Sequence, residues 1–264
     1  MSDEVRRPHA PPDAVRRAQD YYAPRVGEYG ASASHADARE LARMVAAVGA
    51  RPGLLALDVA TGGGNAARAL VSAGCRVVAL DATRGMLQAL RAARAGMPEA
   101  PAIEGACADA LALPFREGCV DIVVSRIAPH HFADLGLFCR EAARVLRRGG
   151  SLHAFDLTTP EGAAEAAVID RVERLRDPSH GHSWSLAEWR AALEVAGLAV
   201  ERLEAASSEF DLEPWFARAR MPPEREAEVR RLFAEHPPSA LGGYGVVAPG
   251  RIRVLRVEAL ARKG

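Results

Sequence analysis

The stretch that decides the fold is LLALDVATGGGN, which runs from Leu54 to Asn65. Its first half is a short apolar run that ends at Asp58, as expected of a buried strand. Its second half is the glycine turn Gly62–Gly64, followed by good helix formers from Ala66 to Val71. A strand, a glycine turn and a helix form the first unit of a nucleotide-binding α/β domain. The glycines allow a sharp turn and a close ligand, and the helix start offers free N–H groups.

A second unit of the same kind follows directly. The apolar run from Cys75 to Leu80 ends at Asp81, which stands 19 positions after Gly62. This spacing is close to the ~20 residues expected for an acid that accepts ribose hydroxyls. In the alternative interpretation, Asp58 and Asp81 only cap the helices that follow them. The glycine turn together with the acid favours a nucleoside ligand.

Composition and charge indicate a globular protein that acts on a small molecule. A chain of 264 residues with 49% hydrophobic residues fits one globular domain with a sizeable core. The formal net charge is zero, which argues against nucleic acid or a membrane as partner. Lys263 is the only lysine, so a Schiff-base lysine and a phosphate-loop lysine are excluded. We expect a small-molecule substrate and a monomer or homodimer, with a partner subunit as an alternative.

The N-terminal sequence and the cysteines predict a soluble, cytoplasmic protein. Residues 1–12 are polar and proline-rich, without an apolar signal core, and are predicted to be a disordered tail. No segment reaches the ~18 apolar residues needed to span a bilayer. The four cysteines form no CxxC pair, so buried free thiols are expected instead of a zinc site.

Strands alternate with helices along the remaining chain. Strands are predicted near 54–58, 75–80, 102–106, 120–125, 151–157, 198–203 and 251–260, the last as an edge strand. This alternation implies a parallel sheet with right-handed crossovers. The segment 204–250 is longer than a crossover requires and is predicted to cap a substrate pocket. Phe210, Trp215 and Phe216 either line that pocket or close a small satellite core, which is the favoured interpretation.

The order of these signals resembles a known family. The segments LALDVATGGG, VVALD, CADALALPF, VDIVVSRIAPHHF and EAARVLRRGGSL are similar, in order and spacing, to those of class I S-adenosylmethionine-dependent methyltransferases. The chain is most similar to the small-molecule group around the ubiquinone and menaquinone biosynthesis C-methyltransferases. The resemblance covers about Leu41 to Leu203. It implies a Rossmann-like, seven-stranded, mostly parallel sheet with helices on both faces and an antiparallel last strand.

The resemblance also implies the domain plan and the reaction. A single domain would span residues 13–264, with an N-terminal helical cap at 13–48 and a helical cap insertion at 204–250. The cofactor would be S-adenosylmethionine, with S-adenosylhomocysteine as product and a quinone-like compound or secondary metabolite as methyl acceptor. Two alternatives remain open at this point. In the first, the protein catalyses a cyclisation or elimination on the same fold; in the second, it is a non-catalytic partner. A nicotinamide dehydrogenase is disfavoured because the turn lacks the full GxGxxG pattern.

Cofactor roles follow from the resemblance position by position. Asp58 would orient the methionine amino group, Asp81 would accept both ribose hydroxyls, and Asp109 would accept from the adenine amino group. Met86 would pack on the adenine. The implied cofactor-binding set is Asp58, Ala60, Thr61, Gly62, Gly64, Asp81, Ala82, Met86, Ala108, Asp109, Ala110, Leu111, Ser125 and Ile127. Ala60 replaces the first glycine usual in the family, and it is expected to be tolerated with a negative φ.

Two adjacent histidines are the candidate catalytic residues. His130 and His131 lie in the loop after the fourth strand, where family members often present groups to the substrate. A histidine can take a proton from the acceptor near pH 7. The alternative is that one of them only organises the loop. No third ligand accompanies the pair, so no metal site is predicted.

Substrate contacts are expected from the N-terminal segment and from two loops. The predicted substrate-binding residues are Tyr21, Tyr29, His35, Arg126, His130 and Trp184. The tyrosines form either a flap over the ligand or a helix face packed on the domain. Arg126, Arg218 and Arg220 can bind an anionic substrate, although surface solvation is favoured for each of them.

Overall fold

The structure is a computed structural model that describes residues 13–26, 37–94 and 103–264. The predictions for the tail 1–12, for Tyr29 and for His35 lie outside the described residues. The strands are β1 Leu55–Val59, β2 Arg76–Asp81, β3 Ile103–Cys107, β4 Val120–Arg126, β5 Leu146–Leu157, β6 Leu198–Asp211, β7 Gly245–Ala248 and β8 Arg251–Lys263. The helices are α1 Asp13–Tyr22, α2 Ala38–Ala47, α3 Asn65–Ser72, α4 Arg84–Arg94, α5 Leu135–Val145, α6 Ala163–Arg176, α7 Leu186–Val195, α8 Leu212–Ala219 and α9 Pro223–Glu235.

The described strands form one sheet in the order β3-β2-β1-β4-β5-β8-β6, and β7 pairs with β8. The first five of these strands in that order are parallel to their neighbours. β8 is antiparallel to both β5 and β6. The predicted α/β fold with a mostly parallel sheet and an antiparallel last strand is therefore confirmed. The chain reverses its direction of strand addition beside β1, and this is where open α/β sheets bind ligands.

Both faces of the central strands are buried, which explains their nearly continuous apolar sequences. In β1, Leu57 and Val59 pack into one core with α5 and α7, while Ala56 faces a second core under α2, α3 and α4. In β4, Val123 and Ile122 divide between the same two cores. Because parallel strands end at one edge, the loops after β1 to β4 meet there.

The C-terminal part of the sheet differs from the prediction. β6 continues to Asp211, and β7 adds an eighth strand to the seven predicted. The predicted insertion at 204–250 therefore begins later, since 204–211 belong to the sheet. Residues 205–209 read AASSE, which has a low strand propensity. The strand forms because β8 provides an antiparallel ladder from the pair Leu198–Lys263 to Asp211–Arg251, with a shift in register between Val200 and Arg202.

A third core forms beside the sheet. It includes Trp215 and Phe216 of α8, each 2% exposed, with Val229 of α9 and Ile169 of α6. The satellite core favoured from sequence therefore exists. It fixes α8 against β8. No helix in the described ranges is long and apolar enough to cross a membrane.

Candidate active site

A cavity of about 850 Å³ opens at the carboxyl edge of the sheet. Its walls come from the loops after β1, β2, β3 and β4, from α1 on one side, and from α6, α8 and β8 on the other. This volume lies within the usual range of ~300–1,000 Å³ for small-molecule sites. The cavity is lined by all the predicted cofactor residues except Gly64 and Ser125.

Gly64 and Ser125 have structural roles instead. The Ser125 side chain is fully buried, and its Oγ donates to the Val59 carbonyl at 3.0 Å, which ties β4 to β1. Gly64 has a φ of +75° at the start of α3, and a Cβ there would overlap Leu90 Cδ1 on α4. Neither residue lines the cavity, so their assignment to the cofactor site stays a prediction. Both predictions relied on the position of the residue in the sequence motif. The motif does not show that Ser125 faces β1 or that Gly64 packs against α4.

Asp58 organises the loop after β1. Its Oδ2 accepts from Thr61 Oγ1 at 2.6 Å and from the Ala67 N–H at 3.0 Å. No described residue donates to its second oxygen, Oδ1, and Asp58 lines the cavity. Burial raises the pKa of Asp58 to about 6, although the hydrogen bonds from Thr61 and Ala67 act to lower it. One oxygen therefore fixes the loop while the other can accept from an amino group of a ligand.

Asp81 joins the first two units of the sheet. Its Oδ2 accepts from the Gly62 N–H at 2.9 Å, and its Oδ1 accepts from the Thr83 N–H at 2.8 Å. Burial raises the pKa of this carboxyl, and the two backbone N–H groups act to lower it. Thr83 precedes α4, so this hydrogen bond closes the turn before the helix and does not cap the helix itself. Each carboxylate oxygen can accept a second hydrogen bond, so ribose hydroxyls can still bind in the cavity.

The rest of this end of the cavity suits an adenosyl group. Asp109 lines it, with one oxygen accepting from the Leu111 N–H at 2.9 Å. Met86 is 4% exposed and supplies an apolar wall. A Cβ built on Gly62 would meet no atom within 4 Å, so the turn leaves space for a ligand. Three carboxylates and an apolar wall fit the hydroxyls, amino groups and ring of S-adenosylmethionine.

The backbone at Ala60 differs from the expectation of a negative φ. Ala60 adopts a left-handed conformation with a φ of +56°. This conformation costs an L-residue about 1–2 kcal/mol, because Cβ crowds the following carbonyl oxygen. The chain therefore keeps the backbone that a glycine would adopt here, at a cost in stability.

Replacing Ala60 with glycine is expected to raise the free energy of unfolding by about 0.5–1 kcal/mol, because relief of strain exceeds the entropic cost of glycine. Chemical denaturation would measure the change. Ala66→Gly, in the first turn of α3, is the matched control and should lower stability by about 1 kcal/mol. A loss of stability in both variants would contradict the left-handed conformation of Ala60.

Ile127 is a second strained position at the end of β4. Its φ is +52°, which is a rare conformation for a β-branched residue. Its N–H donates to the Phe155 carbonyl at 2.7 Å, so neighbouring β5 holds the turn in place. Strain of this kind is common at functional sites. The turn leads directly into the 3-10 helix Pro129–His131, which carries both candidate histidines.

His130 is held by a buried carboxylate on β5. Asp156 is fully buried, and its two oxygens lie 2.6 Å from His130 Nδ1 and 2.6 Å from the His130 backbone N–H. Burial favours the neutral ring, but the carboxylates of Asp156, Asp177 and Glu173 outweigh it and raise the pKa of His130. No described residue is hydrogen-bonded to His130 Nε2, and the residue lines the cavity. Nε2 is therefore the nitrogen available to a substrate.

His131 has both ring nitrogens in use. Nε2 lies 2.8 Å from Tyr22 Oη, and Nδ1 lies 3.1 Å from the Ser179 carbonyl oxygen. The Tyr22 hydroxyl donates to Asp177 at 2.7 Å. Burial and the neighbouring His130 lower the pKa of His131 to about 3. The geometry therefore disfavours His131 as a base and supports the alternative, in which one histidine organises the loop. Through Tyr22 and Ser179, His131 also joins α1 to the loop after α6.

The predicted substrate residues separate into two groups. Tyr21 and Arg126 line the cavity, as does His130. Trp184 does not; its Nε1 donates to the Pro129 carbonyl at 3.1 Å and supports the histidine loop from behind. The cavity lining therefore does not support a substrate contact for Trp184, which stays a prediction. Arg126 Nε is paired with Glu40 of α2, so this arginine also ties the loop after β4 to the N-terminal helices.

Sequence reasoning missed Asp156 and Arg256. Asp156 lies within the buried strand sequence SLHAFDL, where an acid among apolar residues signals a buried partner. Arg256 lies in β8 and lines the far side of the cavity. The alternating pattern of β8 does not indicate which of its residues face the cavity, so the position of Arg256 was not predictable from sequence.

A mostly parallel sheet with a glycine turn and three carboxylates at its carboxyl edge is the arrangement typical of nucleoside-binding α/β proteins. Residues 57–154 match the family described as "Methyltransferase domain". An uncharacterized methyltransferase of Bacillus subtilis, YcgJ, is 30% identical over 196 residues, which are 74% of this chain and 76% of that protein.

Two further proteins support this assignment. The demethylmenaquinone methyltransferase of Renibacterium salmoninarum is 33% identical over 150 residues, 56% of this chain and 61% of that enzyme. The solved structure of the Bacillus halodurans protein BH2331 is 33% identical, with a TM-score of 0.78 over 85% of this chain and 99% of that one. The chain therefore belongs to the class I S-adenosylmethionine-dependent methyltransferases, and the resemblance read from the sequence is confirmed.

Proposed function

We propose that this protein binds S-adenosylmethionine and transfers its methyl group to a small-molecule acceptor. The observation that carries the proposal is that the carboxylates of Asp58, Asp81 and Asp109 share one cavity with His130. The cofactor, when bound, supplies an electrophilic sulfonium methyl group. Asp81 accepts the ribose hydroxyls, Asp109 accepts the adenine amino group, and Asp58 Oδ1 accepts the amino group of the methionine part.

His130 is proposed as the base. Asp156 holds Nδ1, which leaves Nε2 to take a proton from the acceptor. The same carboxylate stabilises the charged ring after proton transfer and fixes its orientation. Methyl transfer needs little covalent assistance beyond an in-line approach, so positioning of the acceptor is the other main requirement.

The acceptor is proposed to be a quinone-like compound or another secondary metabolite. The end of the cavity beyond His130 is lined by apolar groups of Leu157, Phe210, Trp215 and Val254. Such a wall suits a flat apolar body. The similarity to a demethylmenaquinone methyltransferase supports this class of acceptor.

Calorimetric titration of the purified protein with S-adenosylmethionine and S-adenosylhomocysteine tests the proposal. We expect micromolar binding of both, followed by release of S-adenosylhomocysteine when quinone-like and phenolic acceptors are screened. Failure to bind either compound would contradict the cofactor assignment. Binding without turnover on any acceptor would favour a cyclisation, an elimination or a non-catalytic role on the same fold.

A further inference from the structure

The cavity carries a group of arginines at the end opposite the nucleoside carboxylates. Arg176, Arg218, Arg220 and Arg256 line it from α6, from α8 and the residue after it, and from β8. β8 is the fourth strand from β2 in the sheet order, and at about 4.8 Å per step the two strands lie roughly 19 Å apart. These cations therefore lie away from Asp81, on the acceptor side of His130.

Arg256 is the centre of this group. It is 6% exposed and lies opposite Leu157 of β5 in the register of the sheet. Its Nε and Nη1 are buried, and neither has a hydrogen-bond partner in the described part of the chain. A buried donor without a partner destabilises the folded protein, and more so when the group is charged. Such a cost is offset when a ligand with acceptor oxygens occupies the site.

The carboxylates near Arg256 are already engaged. Both oxygens of Asp156 are hydrogen-bonded to His130. Glu173 accepts from the Tyr244 hydroxyl at 2.7 Å and from Arg176 Nη1 at 2.6 Å. The negative charges of Asp156 and Glu173 stabilise the Arg256 guanidinium electrostatically, although neither carboxylate forms a hydrogen bond to it.

Arg218 provides a second cation without a carboxylate partner among the described residues. Its guanidinium lies 5.0 Å from the centre of the Phe210 ring, at the cavity wall. Asp177, another acid that lines the cavity, accepts from the Tyr22 hydroxyl, the Ser179 hydroxyl and the Ser179 N–H. The acids at this end are thus satisfied internally, whereas Arg256 and Arg218 present unused donors.

We propose that the methyl acceptor carries an anionic group, a carboxylate or a phosphate, which docks on Arg256 and Arg218. A planar guanidinium binds such groups through two parallel N–H···O bonds. The apolar body of the acceptor lies against Phe210 and Trp215, with its reacting atom toward His130. β4 and β8 are two strand steps apart, about 10 Å, which suits a body of one or two rings between the two groups. The inference rests on the proposed function, because it places the acceptor in that cavity.

The test uses 2-naphthoate and its neutral isostere 2-naphthamide as probes, with 2-naphthyl phosphate to separate carboxylate from phosphate. Each is titrated calorimetrically into the full chain, with and without saturating S-adenosylhomocysteine. We expect the preferred anion to bind at least tenfold more tightly than the amide. Arg256→Met should remove that preference and leave the Kd of S-adenosylhomocysteine within twofold.

Two further variants keep the test decisive. Arg253→Met is the matched control on the same strand, because Arg253 is paired with Glu209 outside the cavity and should change neither Kd. Arg218→Met alters an exposed side chain that is not part of a core, and it should weaken the anion severalfold even if Arg256→Met fails to fold.

Three outcomes overturn the proposal. They are equal binding of the anions and the amide, failure of all three probes to bind at millimolar concentration, and a loss of S-adenosylhomocysteine affinity in Arg256→Met with anion binding unchanged. The last would assign Arg256 to the cofactor. Absence of S-adenosylhomocysteine binding to the unaltered protein would count against the proposed function alone, because anion binding is also measured without it.

Discussion

Replacing Asp81 with alanine is expected to weaken S-adenosylhomocysteine binding by at least 100-fold. The carboxylate is proposed to accept two ribose hydroxyls, and each hydrogen bond to a charged group is worth about 1.5–3 kcal/mol. Loss of both corresponds to a factor of ~100 or more in Kd at about 1.4 kcal/mol per tenfold. The substitution also releases the N–H groups of Gly62 and Thr83, which hold the two ligand loops. Calorimetric titration measures the effect.

The control must separate lost contacts from lost stability. Asp134 caps α5, where its Oδ1 accepts from the Leu137 N–H at 2.7 Å, and it lies outside the cavity. Asp134→Ala should lower stability by about 1 kcal/mol, as loss of an N-cap usually does. Its Kd for S-adenosylhomocysteine should stay within twofold of the unaltered protein. Unchanged affinity in Asp81→Ala would remove Asp81 from the site.

Replacing His130 with glutamine is expected to lower kcat by about 10²–10⁴-fold, the usual contribution of a positioned base. The Kd of S-adenosylhomocysteine should not change, because His130 is proposed to face the acceptor. Steady-state kinetics on an acceptor found in the screen would measure kcat. His153→Gln is the matched control, since His153 is also buried and paired with a carboxylate, Glu258 at 3.1 Å, but does not line the cavity.

The pair of His130 and Asp156 also predicts a pH dependence of the activity. A base must be neutral to accept a proton, so activity should rise with pH through the raised pKa of His130. Asp156→Asn removes the carboxylate that raises this pKa, so the rising limb should move to lower pH. NMR titration of the His130 ring gives the same comparison without an acceptor. A limb that stays in place while the His130 pKa falls would mean that another group is the base.

The sequence predicted the fold well because its signals are local. Each buried strand ends at a residue that starts a turn, and the pattern of LALDVATGGG and VVALD is fixed by chain geometry over a few residues. The positions that face the cavity at Asp58, Asp81 and Asp109 follow from the same rule, since the ends of parallel strands meet at one edge.

The features that the sequence did not predict have a common cause. In the sequence, Ser125, Gly64 and Trp184 are close to residues that line the cavity. In the structure each packs against another element, and these contacts decide its role. The extension of β6 through 205–209 came from pairing with β8, against local propensity. Local patterns do not contain these contacts.

The sequence by itself determined the parallel sheet, its glycine turn and the carboxylates at its edge, because these depend on residues close together in the chain. Only the tertiary structure decided which histidine keeps a ring nitrogen without a partner among the described residues and which cations line the cavity. Asp156 is 26 residues from His130, and Arg256 enters the cavity from the last strand. Packing of distant strands brings these groups together, and burial among them sets which ring nitrogen and which guanidinium remain without a partner in the described protein.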